Sequence, residues 1–263
     1  MDKKNDLQEF QTRNLRDLTE KDMLFLIEAY ASRRKDYNNI ASIIRGDEEI
    51  ICRMIDSERV FNKVMECKDR IIEISPYFLF SLLLRKSFRE NRKNQKFIDI
   101  ALKQLNSTDP VIPWNEKRLM DMLKDDGIAN YMANMLAQFT KSFDLFKTSQ
   151  SDKENTHHIV DMIEDAIKSD KKRKFYIFCH IGDYSLFLTG MLSSYIEYGV
   201  VHKQMLLDKD SYVSFGKVYY SLASETDSAK KNMLTDTLSQ LSECFEVFVQ
   251  VLHFMNRKYF LQN

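Results

Sequence analysis

Apolar side chains recur along this chain at the three- and four-residue spacing of helices, and the longest apolar stretch covers residues 175–198. One helical stripe of this stretch carries the apolar residues of a buried face: Ile177, Ile181, Tyr184, Leu188, Met191 and Tyr195. A neighbouring stripe carries small side chains that would let a second helix approach closely: Gly182, Ser185, Thr189 and Ser193. Since apolar residues occupy more than one side, the pattern predicts a buried central helix near 175–198.

Two polar groups, His180 and Asp183, interrupt this stretch at its centre, three residues apart on a third helical stripe. Burying an unpaired carboxylate is costly, so Asp183 needs a partner if the helix is enclosed. A membrane span takes ~20 predominantly apolar residues, and a central Asp costs roughly 2.5–3.5 kcal/mol on insertion. We therefore expect no membrane span. The polar N-terminus lacks the pattern of a signal peptide, which favours a cytoplasmic location.

The C-terminal pattern is the most regular in the chain. Its apolar residues alternate spacings of four and three: Leu234, Leu238, Leu241, Phe245, Phe248, Leu252, Met255 and Tyr259. This heptad seam, residues 234–259, predicts a long C-terminal helix near 228–260 that packs inside a bundle along the central helix. A homodimer formed through the same seam is the alternative.

Helix start signals appear in the N-terminal half. Thr19 with Asp22 predicts a capping box, and Ser75 before Pro76 predicts another helix start. The segment 106–114 contains two prolines and is typical of a linker.

The composition favours helices throughout. Only six Gly and three Pro among 263 residues leave few of the turns that a β protein needs. We predict an all-α protein, a compact multi-helix bundle of about nine helices. Residues 1–263 are expected to form a single helical domain, with 106–114 as an alternative subdomain boundary.

The charges of the chain balance, with 39 Lys and Arg against 39 Asp and Glu. Without a bulk positive field, binding to nucleic acid is not expected. One basic run follows the apolar helix that starts at Pro76, and its members are Arg85, Lys86, Arg89, Arg92, Lys93 and Lys96. Because cations favour a helix C-terminus, this run indicates a solvated helix end. The alternative is a patch that faces RNA or anionic lipid.

The histidines suggest a candidate metal site. Imidazole and carboxylate groups three or four residues apart on one helix face can chelate a metal, and two such H-x-x-D pairs are present, His158 with Asp161 and His180 with Asp183. His157 would extend the set. Di-iron bundles, by contrast, use two E-x-x-H motifs, and this chain has one, Glu154 with His157. No cofactor is predicted on this basis, and a divalent metal is left open.

His180 is also a candidate catalytic residue. Asp183 could orient its ring for acid–base chemistry, although no nucleophile is identifiable. Six residues separate Arg173 from His180, and this spacing resembles the motif of HEPN ribonucleases, helical proteins in which an arginine precedes a histidine by four to six residues. The resemblance covers eight residues and departs at Lys174, where that family favours a small polar side chain. It implies metal-independent cleavage of RNA by Arg173 and His180.

Aromatic residues offer a different kind of site. Aromatic side chains can line an apolar ligand cavity in a helical bundle, and the candidates here are Tyr184, Phe187, Tyr195, Tyr212, Phe215 and Tyr219. The favoured interpretation is a non-catalytic helical interaction or small-ligand-binding module, whose partner is a protein or a small apolar ligand. The alternative is a metal-dependent or His-mediated enzyme, a hydrolase or HEPN-like ribonuclease, that uses His180 and Asp183. Whether the chain is an enzyme is left open by the sequence.

Overall fold

The computed structural model describes residues 13–31, 36–66, 74–107, 110–146, 154–202 and 207–261, and the side chains of these residues except 141–146 and 154–158. All regular secondary structure in these ranges is helical, which confirms the all-α prediction. The described residues divide into two compact units, 13–146 with the C-terminal residues 257–261, and 154–202 with 207–256.

One unit begins with a single 3-10 turn, Leu15–Asp17, and continues with eight α-helices in its described residues. They are α1 Glu20–Tyr30, α2 Tyr37–Ile44, α3 Glu48–Ile55, α4 Glu58–Glu66, α5 Pro76–Asn91, α6 Gln95–Asn106, α7 Glu116–Met122 and α8 Asp126–Phe146. The helix α5 packs mainly against α8, and α1 packs against α2, α3 and α4.

The predicted capping box at Thr19 is confirmed, and its acidic member has a second role. Asp22 is fully buried, and its Oδ2 accepts a hydrogen bond of 3.1 Å from the Thr19 backbone N–H. Its Oδ1 accepts one of 2.6 Å from the backbone N–H of Ser75, which is itself the N-cap of α5. One carboxylate therefore ties the start of α1 to the start of α5.

The segment between α6 and α7 is held by a side chain. Asn106 accepts a hydrogen bond of 2.8 Å from the Trp114 backbone N–H and donates one of 2.9 Å to the Trp114 carbonyl. Arg118 stacks on the Trp114 ring at 3.8 Å. The segment lies inside a unit, and both of its flanking helices belong to that unit.

The other unit contains seven helices in its described residues. They are α9 Glu154–Lys168, α10 Lys171–Met191, α11 Ser193–Val201, α12 Lys209–Ser224, α13 Asp227–Lys231, α14 Thr235–Glu243 and α15 Phe245–Tyr259, of which only the last turn of α15 belongs to the first unit. The helix α10 lies at the centre and packs against α9, α11, α12 and α13.

The predicted count of about nine helices is wrong, because the described residues form fifteen. The central helix predicted near 175–198 ends at Met191, and the chain bends by 87° into α11. Side chains of α15 take over the last carbonyl groups of α10: His253 Nε2 lies 2.7 Å from Thr189 O, and Asn256 donates to Met191 O at 2.9 Å. These bonds replace those that a continued helix would make.

The long helix predicted near 228–260 is also interrupted. It is broken at 232–234, where Met233 has a φ of 56°, and again at Cys244. All eight residues of the heptad seam are nevertheless buried within the chain. The seam residues therefore pack against other parts of the same chain. A homodimer through the seam stays a prediction.

Among the described residues, no single helix is long and apolar enough to cross a membrane. The bent pair formed by α10 and α11 has sufficient length and apolar composition when the two helices are counted together.

Candidate functional site

The helices α10 and α12 pack closely because a glycine lies at their contact. Phe178 contacts Tyr219 and Tyr184 contacts Tyr212, so the two helices run antiparallel. A Cβ added at Gly182 would lie 2.6 Å from the Tyr220 ring, which leaves no room for a side chain. The predicted close approach along the small-residue stripe is confirmed at this position.

Asp183 has its partner in the same contact. The Tyr220 hydroxyl donates a hydrogen bond of 2.7 Å to Asp183 Oδ1, and both side chains are buried. Burial and the carboxylate of Asp183 raise the pKa of Tyr220 well above its usual value, so the phenol remains a donor at neutral pH. The requirement for a partner, predicted from the cost of burying a carboxylate, is met by a tyrosine that the sequence interpretation did not select.

His180 lies one turn before Asp183 on α10 and is half-buried. The other residue of the HEPN-like pair, Arg173, lies two turns from it, roughly 10 Å along the helix axis at 1.5 Å per residue. Arg173 Nη2 is 2.6 Å from Asp165 Oδ2 on α9, so its charge is engaged in an ion pair. The roles of His180 and Asp183 in catalysis stay predictions.

The candidate metal residues lie on two neighbouring helices, α9 and α10. Asp161 is exposed on α9, and the side chains of His157 and His158 fall outside the described ones. Among the side chains that the structure describes, no group of three or more His, Cys, Asp or Glu is placed to hold a metal ion. The metal site therefore stays a prediction.

The six aromatic candidates separate into two environments. Tyr184 and Tyr212 are buried, with ring centroids 6.4 Å apart, and they fill the core between α10 and α12. Burial raises the pKa of Tyr212 to about 12. Tyr195 was predicted on the buried stripe of the central helix, but the bend after Met191 places it on α11 with 39% exposure. Phe187 is half-buried.

Phe215 and Tyr219 lie at the surface in a cluster with Phe178 of α10. The Tyr219 ring centroid is 5.5 Å from that of Phe178 and 6.3 Å from that of Phe215, and all three side chains are half-buried. Val218 and Leu222 extend the cluster along α12 with exposures of 53% and 39%.

We call these four residues of α12 the α12 stripe: Phe215, Val218, Tyr219 and Leu222. Their spacing of i, i+3, i+4 and i+7 places them on one side of the helix. Sequence reasoning missed Val218, Leu222 and the neighbouring Phe178. The spacing itself was a usable signal, but it does not distinguish an exposed apolar side from a buried one.

Comparison with known proteins gives no relationship: no family model, no curated protein and no solved structure matches the chain.

Proposed function

We propose that the protein is a non-catalytic interaction module that binds an amphipathic helix of a partner protein along the α12 stripe. The observation that carries this proposal is an apolar stripe left at the surface of a helix whose adjacent side already packs in the core.

The division of α12 into two sides supports the proposal. Its inner side is buried and consists of Tyr212, Gly216, Tyr220 and Ala223. Tyr220 packs on Gly182, and Phe245 packs on Gly216, where an added Cβ would lie 2.1 Å from the ring. These contacts anchor the inner side of the helix, and within the α12 stripe Val218 and Leu222 remain exposed.

The chemistry of the stripe favours a protein helix as its occupant. Two aromatic rings and two aliphatic side chains at i, i+3, i+4 and i+7 are the pattern by which one helix packs against another. The stripe spans eight residues, a rise of about 10 Å along the helix, which matches two turns of a partner. Contiguous exposed apolar side chains of this kind mark interaction surfaces more often than isolated ones do.

The buried polar pair favours binding over catalysis. A carboxylate that accepts a hydrogen bond from a buried phenol contributes to the packing of α10 on α12, which is a structural use of Asp183. Nothing in this use requires a substrate.

Site-specific photo-crosslinking in the cells that make the protein tests the proposal without knowledge of the partner. A benzophenone side chain is introduced at Val218 or Leu222, and the matched control carries it at Asp210, an exposed residue of the same helix about 120° from Leu222. We expect one protein cross-linked from both stripe positions and not from Asp210. An equal yield from Asp210, or no product from either stripe position, would contradict the proposal. A product with the mass of two copies of this chain would assign the stripe to self-association instead.

A further inference from the structure

A cleft open to solvent lies in the unit that contains α5 and α8. Three arginines line it at the spacing i, i+4 and i+7: Arg85 and Arg89 on α5, and Arg92, the C-cap residue directly after α5. Lys124, just before α8, adds a fourth cation from the opposite side. This placement corrects the interpretation of the basic run as a solvated helix end: the side chains of Arg85 and Arg89 are only 7% and 20% exposed.

The carboxylates of the cleft are engaged by two of the arginines. Arg85 donates to Asp56 through Nε at 2.9 Å, and its Nη1 lies 2.7 Å from Asp126 Oδ1, a close ionic contact without the geometry of a hydrogen bond. Arg89 donates to the same Asp56 through Nη1. The third carboxylate, Asp125, accepts the backbone N–H of Ile128 at 3.1 Å and so caps α8.

Donors remain after these pairs are formed. The buried Nη2 of Arg89 has no acceptor among the described residues. Arg92 makes no ion pair with the described side chains, and Lys124 approaches only Asp121, at 3.9 Å. The four cations of the lining exceed its three carboxylates, Asp56, Asp125 and Asp126, by one charge. Burial and then the charge of Arg89 lower the pKa of Arg92, while the carboxylates of Asp56 and Asp126 oppose this shift.

We propose that this cleft binds the phosphoryl group of a small molecule, held by the guanidinium groups of Arg89 and Arg92 and by the Lys124 ammonium. Three donors on separate side chains suit a tetrahedral oxyanion, which accepts hydrogen bonds in several directions. Phe88, Leu123 and Ala129 also line the cleft and form an apolar wall for the rest of the ligand. This site is independent of the α12 stripe.

Binding is tested by isothermal titration of the full chain with inorganic phosphate and with phenyl phosphate, at ionic strength held constant with NaCl. The decisive variant is Arg92→Gln, because Arg92 is half-buried and supports no ion pair with the described residues. Lys93→Gln is the matched control, since Lys93 is exposed, adjacent in sequence and outside the cleft lining. Lys124→Gln is a second variant on the opposite side of the cleft. Thermal unfolding of each variant without ligand verifies that it folds.

We expect phenyl phosphate to bind more tightly than phosphate, because it also contacts the apolar wall. Arg92→Gln and Lys124→Gln should each weaken binding at least tenfold, as removal of a charge-assisted hydrogen bond does, while Lys93→Gln leaves it within a factor of two. The proposal is overturned if neither anion binds the wild-type chain. Equal affinity in wild type and Arg92→Gln would also overturn it, since binding would then lie elsewhere.

Discussion

Tyr220 on α12 donates a hydrogen bond of 2.7 Å to Asp183 on α10, and both side chains are buried. The substitution Tyr220→Phe keeps the ring that packs on Gly182 and removes only the hydroxyl. We predict that the free energy of unfolding falls by about 1.5–3 kcal/mol, the range for a hydrogen bond to a charged group. Urea denaturation measures it. The control is Tyr219→Phe at a half-buried residue of the α12 stripe, where loss of the hydroxyl should cost less than about 0.5 kcal/mol. Equal losses in the two variants would contradict a specific role of the bond.

The same tyrosine gives the protein a dependence on alkaline pH. Burial raises the pKa of Tyr220 in the folded state, whereas in the unfolded chain it titrates near its ordinary value of 10.0. The unfolded state therefore loses a proton above about pH 10 that the folded state keeps, and stability falls as pH rises beyond that value.

We predict that Tyr220→Phe makes the fall in the free energy of unfolding with pH less steep. The slope should decrease by the contribution of one proton, about 1.4 kcal/mol per pH unit. Urea denaturation between pH 8 and 11 compares the slopes. The free energy of unfolding of the variant still falls with pH, because burial also raises the pKa of other tyrosines, such as Tyr184. Identical slopes in wild type and variant would show that Tyr220 titrates normally.

Glycine is required where α12 meets α15. A Cβ at Gly216 would lie 2.1 Å from the Phe245 ring, which is fully buried and has little room to move. Gly216→Ala should destabilise the protein by about 1–3 kcal/mol through overpacking. Gly46→Ala is the control, because nothing lies within 4 Å of an added Cβ and its φ is not positive. That substitution is expected to be neutral or to stabilise by up to about 1 kcal/mol. Similar losses at both glycines would argue against close packing at Gly216.

Met233 occupies a backbone conformation that favours glycine. Its φ is 56°, its side chain is 89% exposed, and the Leu234 N–H that follows donates to Ala229 O at 2.9 Å to close the end of α13. Met233→Gly should raise the free energy of unfolding by about 0.5–1 kcal/mol, since the left-handed region costs glycine little. Met233→Ala removes the same exposed side chain without that relief and should not stabilise. A gain in the alanine variant equal to that in the glycine variant would refute this explanation.

Local signals in the sequence predict much of the fold. The low Gly and Pro content and the helical spacing of apolar residues predict the all-α class. The N-termini of α1 and α5 are predictable because Thr19 and Ser75 cap their own helices. The small side chain at Gly182 also predicts close packing, because a missing Cβ leaves space whatever the partner is. These features depend on neighbours along the chain or on the size of one residue.

Features that depend on distant residues were not predictable in the same way. The helix break after Met191 is stabilised by His253 and Asn256, more than sixty residues away. The burial of Arg85 depends on Asp56 and Asp126, which no periodicity of α5 reveals.

The candidate site shows the same limit. Tyr212 and Phe215 belong to one aromatic cluster in the sequence, yet the first is fully buried and the second lies at the surface. Helical spacing groups residues by side, and only the position of α10 decides which side of α12 faces the core.

The most direct test of the α12 stripe replaces its two exposed aliphatic residues, Val218 and Leu222, with lysine. A benzophenone side chain at Phe215, the first residue of the α12 stripe, reports whether a partner is still bound. The account predicts that the double variant Val218→Lys, Leu222→Lys loses the cross-linked product while its free energy of unfolding stays within about 1 kcal/mol of wild type. A cross-linked product that persists at wild-type yield would contradict the account.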